Sequence, residues 1–418
     1  MTQLGHTRLA IQDVSDAAGQ PFRHGPVTLT YNGEAYNAPA LRASLPGPWS
    51  TSGDTELVAD LVTRHGADGL DQVEGMFACA WHDERTGTWL ARDRYGKIPL
   101  YAVRAGDHWL WASEIKALPG GTPATAIPPG CAVHVDTGRV HRWAQPRAAP
   151  AADPAVLLGL LRDGVQARLL SDRPVCFLLS GGLDSSLVLT LARQLHPNPV
   201  AYTAVFDPRS ADLAAARRMA AHLDVPLIEV PVPAPTPARI TEAIRVIETP
   251  MKAQVEITLA NLPLARAIAS DGFRVVLSGE AADELFGGYG SLCRAAAGTD
   301  DNGWRALRRA QLEKMSRGNF MRVNKVFMAA GVEARLPFMH RPLVDLALAA
   351  GLTECPPGKK LLKAAAAGVI PDWVIRRVKD TFQGGTGIAD AAGQLAASPV
   401  RFYNAEARRL FGYLPRGV

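Results

Sequence analysis

Residues 175–186 read Val175-Cys-Phe-Leu-Leu-Ser180-Gly-Gly-Leu-Asp-Ser-Ser186. Five apolar residues followed at once by turn formers predict a strand buried on both faces. The sequel, Leu187-Val-Leu-Thr-Leu-Ala-Arg193, continues as a helix. Residues 180–186 therefore fill the turn between the carboxyl end of a central strand and a helix amino terminus, with Asp184, Ser185 and Ser186 as candidate caps. On those residues alone an ordinary tight turn is the alternative, but the composition suits an anion. Gly181 and Gly182 allow consecutive amides to point inward, the helix end adds partial positive charge, and the Ser180, Ser185 and Ser186 hydroxyls can donate to phosphate oxygens. Asp184 is tolerable beside a pyrophosphate when a divalent cation lies between them, which makes it a magnesium-ligand candidate.

Ser180-Gly-Gly-Leu-Asp-Ser185 resembles the pyrophosphate loop of the N-type ATP pyrophosphatases, which cleave ATP to AMP and pyrophosphate. It is not a Walker loop, because no Gly-Lys-Ser/Thr follows. The cofactors this implies are ATP and Mg2+.

The 418 residues suffice for two domains with separate cores, and 47% hydrophobic with 20% charged residues describes a globular chain. A net charge of +5 without runs of like charge indicates no nucleic-acid surface. Cys79, Cys131, Cys176, Cys293 and Cys355 are scattered, odd in number and never spaced as metal ligands, which fits a reducing cytoplasm. No stretch reads as a membrane span or a signal peptide.

Residues 1–118 hold short β-like runs, among them Val27–Tyr31, Gly75–Trp81, Thr88–Arg92 and Trp109–Ala112, separated by turn signals such as Asn32-Gly33. They predict a half-buried antiparallel sheet pair. Residues 119–154, dense in Pro, Gly and Ala, read as a linker with one short hairpin around Cys131–Trp143. Residues 155–418 begin as alternating helix and strand, with strands at Val200–Phe206, Leu227–Val232 and Phe273–Ser278, and helices at Ala155–Leu170, Ala211–Leu223, Arg239–Glu248 and Leu259–Ser270. That spacing means a parallel sheet with helices on both faces and ligands at the strands' carboxyl ends, where Ser180, Asp207 and Ser278 fall. Beyond Gly290 the segments read as a helical cap.

The fourth strand leads into Leu277-Ser-Gly-Glu-Ala-Ala-Asp-Glu-Leu-Phe-Gly-Gly-Tyr289, a second turn opening a helix, now with three carboxylates. Acids at a helix start can simply offset its dipole. Two such loops in one sheet describe more economically a site where a nucleotide meets a second substrate. This stretch, with Glu248-Thr-Pro250, Val332-Glu-Ala-Arg-Leu-Pro-Phe338 and Arg376-Arg-Val-Lys-Asp-Thr-Phe382, resembles the synthetase domain of the asparagine synthetase family. The amino-terminal half is similar to that family's glutaminase domain, of the amino-terminal-nucleophile type, through Leu4–Ile11, Tyr31–Asn37, Asp54-Thr-Glu56, Gly75–Ala78, Ala91–Gly96 and Ala112–Leu118.

The resemblance implies an antiparallel α+β domain, truncated at its start, followed by an α/β ATP pyrophosphatase domain with a helical cap. It implies an ATP-dependent amide-forming ligase: a small-molecule carboxylate is activated as an acyl-adenylate and then attacked by ammonia or an amine. Ser180, Gly181, Gly182, Asp184, Ser185 and Ser186 would hold pyrophosphate, with magnesium between Asp184 and Asp283. Leu179, Val205, Ser278 and Gly279 match the adenosine pocket. Glu280 matches the carboxylate that takes a proton from the attacking nitrogen, and Lys379 the lysine that neutralises the α-phosphate, on a Gly-rich loop expected to close over the adenylate. A homodimer is compatible with the chain.

Three departures from the family pattern stand out. The family's glutaminase half begins with a catalytic cysteine whose free α-amine serves as base. This chain begins Met1-Thr-Gln-Leu-Gly-His6, so the nucleophile is absent from it and no glutaminase activity is expected of the chain as given. Yet Arg8, Asn32, Gly33, Glu34 and Asp54 match the glutamine pocket, as a vestige or as part of a protein whose true start lies upstream. His340, in Pro337-Phe-Met-His340, and Asn324 both stand where the family commonly has Asp and bear on the second-substrate pocket by that resemblance, although a lone histidine is more often a satisfied structural residue than a catalyst and His340 is read so. An intramolecular amide synthetase resembling β-lactam synthetases or lasso-peptide cyclases, and a catalytically silent scaffold, are the competing readings.

Overall fold

The computed structural model describes residues 2–377, 388–393 and 398–415. Nine strands build the amino-terminal half: β1 Phe22–His24, β2 Val27–Ala35, β3 Gly75–Asp83, β4 Gly87–Arg92, β5 Tyr101–Ala105, β6 His108–Ala112, β7 Thr125–Ala126, β8 Cys131–His134 and β9 Val140–Arg142. They form a six-stranded sheet ordered β1-β2-β3-β4-β8-β9 and a three-stranded sheet ordered β6-β5-β7. Helices α1 (Ala38–Ser44) and α2 (Thr55–His65) cover one face of the larger sheet, where Leu57, Val58, Leu61 and Val62 share a core with Phe77 and Trp81. The opposite face packs Met76, Ala78, Ala80 and Leu90 against Leu100 and Ala102 of the smaller sheet. Alternate residues of β3 thus serve two cores, as a period-two strand must.

The antiparallel pair is as expected, but residues 119–154 are more than a linker. The hairpin around Cys131–Trp143 exists, and β8 pairs with β4 while β7 pairs with β5, so this stretch completes both sheets. Its prolines lie between the short strands, where they leave the ladder bonds intact.

The second half opens on α3 (Pro154–Arg168). Proline at its first position and the Asp153 carboxylate, which accepts from Ala155 N and Val156 N at 2.8 and 3.2 Å, start the helix. Strands β10 (Val175–Leu178), β11 (Ala201–Val205), β12 (Leu227–Pro231), β13 (Val275–Leu277) and β14 (Glu333–Arg335) form an all-parallel sheet ordered β12-β11-β10-β13-β14. Helices α4 (Leu183–Leu195), α5 (Ala211–Leu223), α6 (Pro237–Ile247) and α7 (Lys252–Ser270) connect the first four strands. The order reverses beside β10, so the loops after β10 and β13 flank one crevice at the strands' carboxyl ends.

Helices α8 (Ala282–Phe286), α9 (Gly290–Ala296), α10 (Asp301–Met315) and α11 (Asn319–Met328) precede β14. Then α12 (Arg341–Ala349), α13 (Lys360–Ala366) and α14 (Asp372–Arg376) follow, with further helices at Ile388–Gly393 and Pro399–Phe411. The strand β14 was hidden in the sequence: three residues, two of them charged, give no strand pattern. Helix α7 begins seven residues before the expected Leu259, because buried Gln254, Glu256 and Asn261 mask its apolar periodicity.

The two halves meet on buried charge. Arg335 donates to Glu333 at 2.7 Å and to the Arg168 and Leu170 carbonyls at 2.9 and 2.6 Å, and lies 3.3 Å from Glu34 of the first half. Lys97 donates to the Ala334 carbonyl at 2.6 Å. Burial pushes the Lys97 amine down to about 7.

Candidate active site

The loop after β10 is shaped by its glycines. Gly181 has φ +70°, and a Cβ there would come within 2.5 Å of the Ala215 carbonyl carbon on α5, so only glycine fits. Gly182 is the N-cap of α4 and no side chain caps this helix, which corrects the expectation for Asp184, Ser185 and Ser186. Instead Ser185 Oγ turns back to the loop, accepting from Ser180 N at 3.2 Å and lying 3.1 Å from Ser180 Oγ. Ser186 is fully buried with its hydroxyl unpartnered among the described residues. An uncapped helix start ringed by hydroxyls is the environment a phosphate anion satisfies. Leu179 is buried at the loop's entry, and Val205 ends the neighbouring β11.

The loop after β13 is seated directly on this helix start. A Cβ on Gly279 would lie 2.8 Å from Ser185 N and 2.9 Å from the Asp184 carbonyl carbon, so the two backbones touch. Ser278 is tied to β14 through its amide, 3.0 Å from the Arg335 carbonyl. Ala281 then takes φ +82°, a left-handed conformation costly for a side-chain-bearing residue, and as the N-cap of α8 it separates Glu280 before the helix from Asp283 in its first turn.

Asp184 and Asp283, matched to the metal, do converge. The shared point is the Lys359 ammonium, 2.6 Å from Asp184 Oδ2 and 2.6 Å from Asp283 Oδ1. Sequence reading missed Lys359. It follows Pro356-Pro-Gly358, sits at φ +60° ahead of α13, and nothing in the local pattern separates it from Lys360 beside it. Two carboxylates arranged about one cation suit a magnesium ion whose remaining ligands are phosphate and water.

Glu280 Oε1 accepts from Arg322 Nη2 at 2.5 Å. Arg322 Nε donates to Gln254 at 2.8 Å, Gln254 donates to Asn319 at 2.8 Å, and Asn319 donates to Glu284 at 2.8 Å. Tyr289 also donates to Glu284, at 2.6 Å. Burial pushes the Glu284 carboxyl up to about 7 against that hydrogen bond, and the Glu280 and Asp283 charges add to the rise. Lys379 lies outside the described residues.

Arg8, Asn32, Gly33, Glu34 and Asp54 also come together, around a cavity of about 50 Å³ that Met328 and Glu333 of the second half help to line. Gly33 lies flat against β3, where a Cβ would be 2.6 Å from Phe77 Cα. Burial drives Glu34 well above the usual carboxylate range and Asp54 up to about 6.

His340 takes the structural role that a lone histidine most often has. It is buried at the seam between the halves, in contact with Glu74 and 3.3 Å from Arg168 Nη1. Burial opposes ionisation of Glu74, yet the His340 contact and the Arg168 charge hold its carboxyl down at about 2.

A phosphate-type loop and an acid-bearing loop at the switch point of a parallel sheet, joined to an antiparallel two-sheet domain, make a two-part α/β protein with the loop chemistry of a nucleotide site. An asparagine synthase model matches residues 157–317 and 293–415, and a glutamine amidotransferase domain model matches residues 1–134. The chain belongs to the asparagine synthase family. It is 33% identical to the glutamine-hydrolyzing asparagine synthetase of Asparagus officinalis over 399 residues, 90% of this chain and 66% of that one. It is 32% identical to asparagine synthetase B of Escherichia coli K12 over 449 residues, 97% of this chain and 79% of that one. The chain thus spans about two thirds of the length of the plant relative. No helix among the described residues is long and apolar enough to cross a membrane.

Proposed function

We propose that the protein is an ATP-dependent amide-forming ligase. A substrate carboxylate attacks the α-phosphorus of ATP, pyrophosphate leaves, and ammonia or an amine then attacks the acyl carbon of the adenylate, releasing AMP. Ser180, Gly181, Gly182, Ser185 and Ser186 bind the pyrophosphate moiety. Leu179, Val205, Ser278 and Gly279 line the adenosine site. Asp184 and Asp283 are the residues that would hold magnesium, which supplies charge neutralisation at the phosphates. Glu280 accepts the proton of the attacking nitrogen, and Lys379 is assigned to the charge on the α-phosphate. The Lys359 ammonium stands at the point the two aspartates share, so the metal would take its place there. The cavity around Glu34 and Asp54 is assigned to the glutamine side of the family's chemistry.

The observation that carries this reading is the seating of Gly279 on Asp184 and Ser185. It supports a common site for the phosphate loop and the loop that carries the base and metal candidates, as adenylation followed by amide formation requires. The test is pyrophosphate release from ATP and magnesium with L-aspartate plus ammonium, wild type beside Glu280→Gln. Release by the wild type, with asparagine formation, the step Glu280 serves, falling by about 10²–10⁴-fold in the variant, supports the ligase. Silence with aspartate but retained ATP binding directs the search to another carboxylate, and absence of ATP binding refutes the proposal in favour of a scaffold.

A further inference from the structure

Among the described residues, the one hydrogen bond to the Glu280 carboxylate comes from Arg322. Glu280 itself is a quarter exposed, at 27%, so its side chain has room to rotate. Arg322 is the opposite case. It is 1% exposed, its Nε is fixed by Gln254, and Gln254 is fixed in turn by Asn319 on the same helix. A guanidinium presents its donors in a rigid fork, so holding one edge sets the direction of the other.

What holds α11 is equally specific. Three residues after Arg322, and so on the same side of the helix, Lys325 forms an ion pair with Glu248 in which neither side chain has any exposure. The Glu248 carboxylate also accepts the backbone amides of Ile115 and Lys116 from the amino-terminal half, at 2.9 and 2.8 Å. Lys325 further lies over the Tyr101 ring of β5, 4.8 Å from its centroid, and Tyr101 donates to Met321 of α11 at 3.3 Å. One helix therefore has its Glu280 partner and its anchor on the first half on a common side. The Glu248-Thr-Pro and Ser-Glu-Ile-Lys-Ala-Leu motifs, which the ligase chemistry leaves without a task, meet at that anchor.

We infer that Arg322 is the positioning residue that orients the Glu280 carboxylate in the ligase site, and that the buried Lys325–Glu248 pair transmits that placement from the amino-terminal half. The inference rests on the ligase reading. It makes the first half part of the ligase machinery whatever becomes of glutamine.

The experiment compares wild type, Arg322→Ala, Arg322→Lys and Lys325→Met in amide formation with ammonium and the carboxylate that supports wild-type turnover, alongside ATP binding by calorimetry. Arg322→Ala should lower kcat by about 100-fold, the scale of general-base catalysis, with ATP affinity changed less than about twofold. Added guanidinium should restore about tenfold of that loss, since it replaces the missing fork, which a purely structural defect would not allow. Arg322→Lys, which keeps the charge but not the fork, should stay low and covers the case in which the alanine variant does not fold. Lys325→Met should lower kcat without changing ATP affinity. Wild-type kcat in Arg322→Ala overturns the inference while leaving the ligase intact. A wild type that binds no ATP and forms no amide overturns both. A crystal structure of Arg322→Ala needs no substrate: a displaced Glu280 carboxylate supports the inference, and an unmoved one overturns it.

Discussion

Lys359 offers the sharpest test of the crevice, because one ammonium group stands between two carboxylates. Its side chain is 6% exposed and both contacts are 2.6 Å, so the two aspartate oxygens lie no farther apart than twice that distance. Lys359→Met keeps the aliphatic stem and removes the charge. Two like charges about 5 Å apart repel by about 3 kcal/mol at an effective dielectric of about 20. Deleting one partner of a buried ion pair costs about 3–5 kcal/mol by mutagenesis, so both routes give a loss of about 3 kcal/mol or more. That loss should be reversible by a divalent cation, since magnesium can take the place the ammonium held. At about a hundredfold excess over its dissociation constant, a ligand specific to the folded state returns about 2.7 kcal/mol. The assay is the urea midpoint, followed by circular dichroism, of wild type and variant with and without magnesium chloride. The variant should be markedly less stable without magnesium and should gain more from it than the wild type does. A variant within about 1 kcal/mol of wild type without magnesium, a surface-like effect, would refute the reasoning, as would an equal response of the two proteins to the metal.

The remaining predictions concern the same two loops. Gly279→Ala pushes a methyl group onto Ser185 N and the Asp184 backbone, and at an overpacking cost of about 1–3 kcal/mol should weaken ATP binding about tenfold by calorimetry; unchanged affinity would mean that the loops separate freely. Ala281→Gly relieves the φ +82° conformation and should raise stability by about 0.5–1 kcal/mol, read as a higher urea midpoint; a lower midpoint would mean that no strain is stored there. Glu284, with its carboxyl raised from 4.5 to about 7, keeps its proton longer in the folded state, so stability is lost as pH climbs through that window. Glu284→Gln should flatten this fall, worth about 3 kcal/mol in the wild type, and parallel pH profiles for the two proteins would show that Glu284 does not cause it.

The sequence made the scaffold of the site legible because the scaffold is local. A five-residue apolar run, two glycines and a helix start are contiguous, and physics assigns them a strand, a turn and an anion site without reference to anything distant. The same holds for Ser278, Gly279, Glu280 and Asp283 after β13. What escaped was every partner supplied from far along the chain. Lys359 reaches Asp184 from 175 residues away and Arg322 reaches Glu280 from 42, and neither carries a pattern that announces a site. The β14 strand and the α7 start were obscured for a related reason: buried charged and polar residues there satisfy tertiary partners, so hydrophobic periodicity fades.

His340 shows what a departure from a motif can mean in the fold. Its place in Pro337-Phe-Met-His340, where the family commonly has Asp, is what linked it to the substrate pocket. In the fold the chain turns at that point onto α3, so closely that a Cβ on Gly164 would lie 2.6 Å from the Pro337 carbonyl oxygen and 3.0 Å from His340 Cβ. The imidazole therefore faces Glu74 and Arg168, and an aspartate in its place would set a second carboxylate against Glu74 at a buried seam. The histidine is thus matched to this chain's own Glu74. Glu34 and Glu248 facing Arg335 and Lys325 are buried charge, joined by Arg168 facing the partly exposed Glu74, and its cost is offset only while every partner is present. Such a seam fixes the two halves in one relation, and through Lys325 and Arg322 that relation reaches the carboxylate assigned to the chemistry.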